Sequence, residues 1–186
     1  MGSSEDRRTE IIHAVWQVIA TQGMGAVTMR AVATAAGVSV GRIQYWFRSK
    51  DELLHASLEA MISGAATDYD AATATADPRR RVWELLVQSI PRADAARMGV
   101  SVFHQYAAAA INDPVLARML TEAKQGQARE VGRLLVRIAP DLTSPRLAAR
   151  SLIATSDGLT LQVLIGSLSP ASAERTLRAA LDRVLG

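Results

Sequence analysis

The chain of 186 residues is 49% hydrophobic but only 4% aromatic, and its formal net charge is +3. This length suits a small domain joined to a larger one, and abundant alanine with few aromatic residues favours helices over sheets. Cysteine is absent, which excludes disulfides and thiolate metal sites. No apolar run reaches the length of a membrane span and no signal-peptide core is present, so we expect a cytoplasmic protein with no membrane partner.

The first predicted helix covers about residues 5–22, where acidic residues occupy the first turn and a wide apolar stripe follows. Gly23 and Gly25 lie where this helix should end. A second helix is predicted over about residues 29–36, because apolar side chains recur at i, i+3, i+4 and i+7. These are Met29, Val32, Ala33 and Ala36.

Capping residues divide the next stretch into short helices. Thr28 has N-cap chemistry for the second helix, and Gly37 follows it where a left-handed residue is needed. Ser39 can cap a third helix over residues 40–47, and Ser49 with Glu52 forms a capping box for a fourth. Two short helices joined by a tight turn are typical of a helix-turn-helix, whose second helix enters the DNA major groove.

The third helix has an outward side of unusual chemistry. Ile43 and Phe47 lie one turn apart and should point inward, which leaves Gly41, Arg42, Gln44 and Tyr45 outside. Arginine can pair with guanine, glutamine with adenine, and tyrosine with a phosphate. The alternative is an ordinary pair of packed helices with the aromatic residues 45–47 in the core.

These residues resemble the DNA-binding domain of the TetR family of bacterial transcription regulators, over about residues 8–60. The matching segments are residues 27–30, 33–39 and 43–54, and residues 44–47 depart from the usual family pattern. The resemblance implies an all-α protein of about nine helices. Its helix-turn-helix domain would be residues 1–50, and its effector-binding and dimerisation domain would be residues 51–186.

The predicted DNA contacts form two groups. Those expected to face the bases, together with the adjoining Val40, are Ser39, Gly41, Arg42 and Gln44. Those expected to position the protein mainly on phosphates are Thr28, Arg30, Tyr45, Trp46 and Lys50. Residues 1–60 hold six Lys/Arg and six Asp/Glu, so binding would depend on local placement of the cations and not on an overall field.

Six further helices are predicted. Their approximate ranges are residues 50–63, 78–90, 93–111, 114–139, 145–166 and 170–185, with a loose segment at 68–77. The eighth helix is apolar on more than one face, so it should be buried on both sides. We predict that the last two helices form half of a four-helix homodimer interface; the alternative is that they only close the monomer core.

Enzyme motifs are missing from the sequence. The three histidines are far apart and no glycine-rich phosphate loop occurs, so we predict no catalytic residue, metal or cofactor. The resemblance instead implies a cavity for a small-molecule effector in the helical domain. Its candidate contacts, each individually more often a core residue, are Trp83, Phe103, His104, Tyr106, Asp157 and Gln162.

The combined prediction is a DNA-binding regulator that represses transcription and is released from a palindromic operator by a small-molecule effector. An activator of the same fold stays open. A second alternative is a helical ligand-binding or interaction module whose DNA head is not functional, which the neutral charge balance of residues 1–60 favours.

Overall fold

The computed structural model describes residues 4–186, apart from the side chains of Ser4, Asp94 and Ala95; the first three residues of the predicted domain 1–50 lie outside this range. The described part contains nine α-helices, one short 3-10 helix (Met24–Ala26) and no strand, which confirms the all-α prediction. The α-helices are α1 (Ser4–Gln22), α2 (Met29–Ala35), α3 (Val40–Trp46), α4 (Lys50–Thr73), α5 (Pro78–Val87), α6 (Asp94–Ala109), α7 (Pro114–Ile138), α8 (Pro145–Leu164) and α9 (Pro170–Leu185). In the described residues no helix is both long and apolar enough to cross a membrane.

The helix boundaries around α2 and α3 follow from their caps. The Thr28 hydroxyl accepts the backbone N–H of Ala31 at 3.0 Å, and Gly37 has a left-handed φ of 64° at the end of α2. The Ser39 hydroxyl then accepts the N–H of Arg42 at 3.2 Å. Because such local bonds satisfy N–H groups that a helix leaves free, they set where each short helix begins.

The capping box at the start of α4 is also present. The Ser49 hydroxyl accepts the N–H of Glu52 at 3.1 Å. The Glu52 carboxylate accepts the backbone N–H of Arg48 at 2.7 Å, one residue before the N-cap. This pair of bonds fixes the turn between α3 and α4.

The chain forms two compact units, of which the first comprises the described residues up to Gly64 together with Ser101–Leu120. Its core includes the apolar face of α1 and the inward residues of α2, α3, α4 and α6. The largest fully buried side chains of this core include Phe47, Leu53, Leu58 and Tyr106. The predicted boundary at residue 50 therefore lies inside a single packed unit.

A buried polar contact connects α4 and α6 in this unit. The hydroxyls of Ser57 and Tyr106 are hydrogen-bonded to one another, and Ser57 also donates to the carbonyl of Leu54 at 3.0 Å. Burial raises the pKa of Tyr106 to about 12, although the bond to Ser57 acts in the opposite direction. Tyr106 is thus a satisfied core residue.

The second unit comprises Ala65–Val100 and Thr121–Gly186. Its core is formed by α5, α7, α8 and α9, with Val82, Leu86, Leu134, Leu135 and Leu177 fully buried. Helix α5 begins at Pro78, and the side-chain carboxylate of Asp77, its N-cap, accepts the backbone N–H of Arg80 at 3.0 Å. Proline fits this first position because its missing N–H would have no partner there.

Helix α4 is longer than the sequence pattern predicts. It continues to Thr73 instead of ending near residue 63, so Asp68 and Asp70 lie on a helix and not in a loop. The predicted loose segment at 68–77 is wrong as far as Thr73, because its alanine residues are good helix formers. Tyr69 anchors the last turns: its hydroxyl accepts from the Arg81 guanidinium at 3.3 Å, and that group lies 5.7 Å from the ring centre.

Helices α5 and α6 are shorter than predicted. Helix α5 ends at Val87 and α6 runs from Asp94 to Ala109. The segment before Pro91 adopts turns, since the residue preceding a proline disfavours helical geometry.

Asp113 caps α7 and offers a test of local stability. Its carboxylate accepts the N–H groups of Val115 and Leu116 at 2.9 and 3.1 Å and lies 3.3 Å from Nε2 of His55. We expect Asp113→Ala to lower the free energy of unfolding by about 0.5–2 kcal/mol, with Asp113→Asn, which keeps a capping oxygen, losing less. Urea unfolding of the three proteins measures this difference.

The same carboxylate predicts the pH dependence of that difference. The N–H of Leu116, followed by the His55 contact, holds the pKa of Asp113 below its usual value. A carboxylate with a lowered folded-state pKa stabilises the protein above the unfolded-state pKa and loses that contribution as the pH falls. Over the acidic range in which the Asp113 carboxylate takes up its proton, the gap between the wild type and Asp113→Ala should therefore shrink; a gap that stays constant over that range would contradict the capping assignment.

Candidate nucleic-acid interface

Helix α3 divides into an inward and an outward side. Ile43 is fully buried and Phe47 is 2% exposed, whereas Tyr45 is 76% exposed. Gly41, Arg42 and Gln44 are also exposed. The structure therefore places one guanidinium, one amide and one phenol together on the solvent side of a seven-residue helix.

Four exposed cations belong to α3 and to the segments next to it in the sequence. Arg30 lies on α2, Arg42 on α3, Arg48 in the turn after α3, and Lys50 begins α4. No ion pair joins any of the four to an acidic group in the described part of the chain, whereas Glu52 is occupied by the Arg48 backbone N–H. Because these charges are unneutralised, they can contact phosphates despite the balanced charge of residues 1–60.

The two N-cap hydroxyls are placed for a second role. Thr28 and Ser39 are exposed, and each uses an oxygen lone pair to cap its helix. The hydroxyl hydrogen stays available to donate to a phosphate. Val40, which follows Ser39, is half-buried against the core, so its apolar surface is only partly available for contact.

Trp46 has a mixed environment. Its ring meets Tyr45 edge-on, with centroids 5.3 Å apart. The Trp46 indole N–H is buried and has no hydrogen-bond partner among the described residues. The predicted phosphate contact from this N–H would require the side chain to move, so the role of Trp46 stays a prediction.

Gly41 has no packing role within the protein. A Cβ added there would meet only the Ser39 hydroxyl oxygen, 3.9 Å away, and the residue does not have a positive φ. Glycine in a helix costs roughly 0.5–1 kcal/mol relative to alanine. A glycine that is costly and not required by internal packing fits a surface that another molecule approaches closely.

Gly41→Ala should therefore separate stability from DNA binding. We expect the free energy of unfolding to rise by about 0.5–1 kcal/mol, because alanine is the better helix former. DNA affinity should fall at the same time, because the added methyl group occupies the contact surface. Thermal unfolding and fluorescence anisotropy on the same preparation check both, and a variant that is more stable and binds DNA equally well would exclude close approach at this position.

The effector candidates of the first unit have different surroundings. Phe103 and His104 are half-buried with ring centroids 6.2 Å apart. Tyr106 is fully buried and bonded to Ser57, so contact with an effector would first have to expose it. The three residues share α6 but differ in their access to a ligand.

The other candidates belong to the second unit. Trp83 is half-buried, with the Arg178 guanidinium 4.0 Å from its ring centre. Asp157 accepts from the Lys124 ammonium group at 2.6 Å, and Gln162 is exposed. The structure thus distributes the six predicted effector contacts over both units, and the set stays a prediction.

Gln105 on α6 is a connecting residue that the sequence patterns did not reveal. Its amide nitrogen donates to the carbonyl of Ile19 at 3.1 Å, and its amide oxygen accepts the N–H of Met24 at 2.8 Å. These bonds join α6 to the end of α1 and the following turn. In the sequence Gln105 is simply a polar amide among apolar helix residues. That pattern does not identify a hydrogen-bond partner 81 residues away.

Comparison with known proteins defines the family. Residues 11–57 match the profile described as "Bacterial regulatory proteins, tetR family", and residues 78–186 match "BetI-type transcriptional repressor, C-terminal". The chain belongs to the TetR family. It is accordingly a DNA-binding helix-turn-helix transcriptional regulator, as the sequence resemblance implied, and not an enzyme.

Three known proteins illustrate what this chain is similar to. The transcriptional regulator BetI of Stenotrophomonas maltophilia is 31% identical over 159 residues, which cover 84% of this chain and 80% of BetI. The multidrug binding protein EbrR complexed with ethidium is 30% identical, with a TM-score of 0.72 and coverage of 98% of this chain and 99% of EbrR. A Saccharomonospora viridis regulator in complex with choline shares the fold at 23% identity, with a TM-score of 0.83 and coverage of 97% and 96%.

Proposed function

We propose that this TetR-family protein is a homodimeric repressor that binds a palindromic operator and is released from it by a small-molecule effector. The observation that carries the proposal is the solvent-facing side of α3, where Arg42, Gln44 and Tyr45 are exposed around Gly41. A recognition helix reads base edges with such side chains, while neighbouring cations hold the phosphates. The protein would act in the bacterial cytoplasm, where its operator is.

The proposed base contacts come from Ser39, Gly41, Arg42 and Gln44, with Val40 beside them. Arg42 has the fork geometry for guanine and Gln44 the amide for adenine. Thr28, Arg30, Tyr45, Trp46 and Lys50 would position the subunit on the backbone. In this proposal residues 1–50 form the DNA-binding domain and residues 51–186 the effector and dimer domain.

TetR regulators act as dimers, and α8 offers a surface for pairing. Leu147, Leu161 and Ile165 are 65%, 51% and 70% exposed, and they recur along one side of the helix with Ala154 and Gly158 between them. The opposite side of α8 is buried in the core. We infer that a second copy covers this apolar stripe, with α9 beside it, so that two α3 helices are presented to one duplex.

Effector binding is proposed for the C-terminal domain. The match of residues 78–186 to the BetI-type repressor profile supports it, as do the ligand complexes of EbrR and of the choline-bound regulator. Release would follow if the effector binds more tightly to the conformation in which the dimer does not fit both half-sites of the operator. The coupling free energy between effector binding and DNA binding is typically about 1–3 kcal/mol. The six predicted contacts are the candidates for its site.

A salt titration tests the proposal against a module whose DNA head is not functional. If Arg30 and Lys50 of both subunits contact phosphates, affinity for random duplex should fall about a hundredfold between 50 and 200 mM salt. Absence of binding at low salt, or affinity independent of salt, would favour the alternative. An activator of the same fold would behave like the repressor here, and a reporter assay separates the two.

Lys50→Ala should weaken binding to operator and random duplex alike. Lys50 begins α4 next to free backbone N–H groups, which suits a phosphate and not a base. The plot of log affinity against log salt concentration should become shallower, with the magnitude of its slope reduced by about one per subunit. A loss confined to the operator would assign Lys50 to base recognition instead.

A further inference from the structure

A groove lies between α7 and α8, within the second unit. The two helices approach closely at Gly132, where an added Cβ would lie 3.7 Å from the carbonyl oxygen of Pro145 and 3.9 Å from the Cβ of Ala149. Beside this contact the groove opens to a volume of about 800 Å³. Because Gly132 has no side chain, the two backbones can approach each other at this point, and the floor of the groove lies close to both helices.

Arginine side chains line this groove from both helices. Arg129 and Arg133 are four residues apart on α7, and Arg146 and Arg150 are four residues apart on α8. Like charges at this spacing on a helix repel each other. The arrangement therefore carries an electrostatic cost that a bound anion would relieve.

Only part of this charge is neutralised within the protein. Lys124 is paired with Asp157 at 2.6 Å, and Arg133 donates to Glu130 at 2.6 and 2.8 Å. Arg129, Arg146 and Arg150 are exposed, and none of the three forms an ion pair with an acidic group in residues 4–186 as described. Three guanidinium groups are thus available at one groove.

The floor between the arginines is apolar. It is formed by Ala128, the buried Gly132, and Ile153, which is 7% exposed, with Val136 44% exposed at its side. Burying such surface stabilises a complex by roughly 25 cal/mol per Å². A ligand of matching chemistry would place an anionic group on the guanidinium groups and an apolar body on the floor.

We propose that the α7–α8 groove binds an organic anion that combines a carboxylate or phosphate group with an apolar body. Guanidinium groups bind either head group in a bidentate manner, which is the chemistry that the two have in common. The apolar stripe assigned to the dimer interface adjoins this groove along α8, because Ala154 belongs to both. A bound anion would therefore lie at the edge of the proposed interface, with Arg129 on α7 and Arg146 on α8 on the side away from the stripe.

Isothermal titration calorimetry on the full-length protein tests this site, with decanoate below its micelle-forming concentration as the probe. Decyltrimethylammonium has the same apolar chain with the opposite charge, decyl phosphate exchanges the head group, and inorganic phosphate lacks the chain. We expect decanoate to bind at one site per subunit, at least tenfold more tightly than decyltrimethylammonium or phosphate. The ratio of decanoate to decyl phosphate affinity then identifies which head group the groove prefers.

Variants locate the binding. The double variant Arg129→Gln with Arg150→Gln should bind decanoate at least tenfold more weakly, whereas Arg137→Gln, an exposed arginine of α7 outside the groove, should bind like the wild type. Each single glutamine variant provides the same comparison should the double variant not fold. Equal affinity of wild type and groove variants, preference for the cation, or no binding of either anion by the wild type would overturn the proposal.

This proposal concerns binding and does not depend on operator release. Operator affinity measured without decanoate tests the DNA-binding proposal alone, so the two failures are distinguishable. Decanoate that binds only after the dimer is dissociated would show that a second copy occupies the groove, and would overturn the assignment to a small anion.

Discussion

Replacing Arg42 by alanine is expected to weaken operator binding by about 2–6 kcal/mol, because a base contact worth about 1–3 kcal/mol is lost in each of two half-sites. Arg42 is exposed on α3 and forms no ion pair with an acidic residue of the described chain. Its removal should leave the fold intact, so the lost affinity reports on DNA contact. The variant should also lose its base preference at one position per half-site.

Fluorescence anisotropy measures this effect on a set of operators, each substituted at one position. Gln44→Ala is the matched variant on the same helix and should lose preference at a different position. Arg137→Ala, on an exposed part of α7, is the neutral control. Unchanged affinity and base preference in both Arg42→Ala and Gln44→Ala would remove α3 as the recognition helix.

Leu161→Glu is expected to convert the dimer to a monomer and to weaken operator binding at least about a hundredfold. A second linked site typically contributes about 10²–10⁴ to overall affinity. Leu161 is 51% exposed in the single chain, so the subunit should tolerate the charge. Within an interface the same carboxylate would be buried without a partner, at a large cost in free energy.

Sedimentation velocity measures the change in mass, and fluorescence anisotropy measures the change in operator affinity. Ile111→Glu is the control, since Ile111 is 82% exposed but lies between α6 and α7. It should leave both measurements unchanged. If Leu161→Glu stays dimeric and binds the operator normally, the interface is not on this side of α8.

The helix-turn-helix could be predicted from sequence because its signals are local. Thr28, Gly37, Ser39 and Ser49 each act on groups within a few residues, and each takes the predicted capping or turn position. The two sides of α3 follow from helical periodicity alone. Such short-range rules need no knowledge of the rest of the chain.

Long-range features could not be obtained in this way. Tyr69 near the end of α4 meets Arg81 on α5, and Gln105 meets Ile19 and Met24 across the first unit. Tyr106 illustrates the same limit, because its partner Ser57 is 49 residues away. Sequence alone does not distinguish a tyrosine that is buried in the core from one that contacts an effector.

The groove arginines were missed for a related reason. Charged residues at i, i+4 spacing on a helix usually describe a solvated surface. Only the close approach of α7 and α8 at Gly132 brings the pairs of both helices to one groove. The sequence contains the charges but not their convergence.

Selection of bound duplexes from a random pool tests the central claim most directly. A dimer that presents two α3 helices should enrich an inverted repeat, with half-site centres about 34–36 Å apart or a multiple of that distance. The Arg42→Ala variant should enrich the same repeat with one position per half-site relaxed. Enrichment of no sequence, or of a single site without symmetry, would contradict the account.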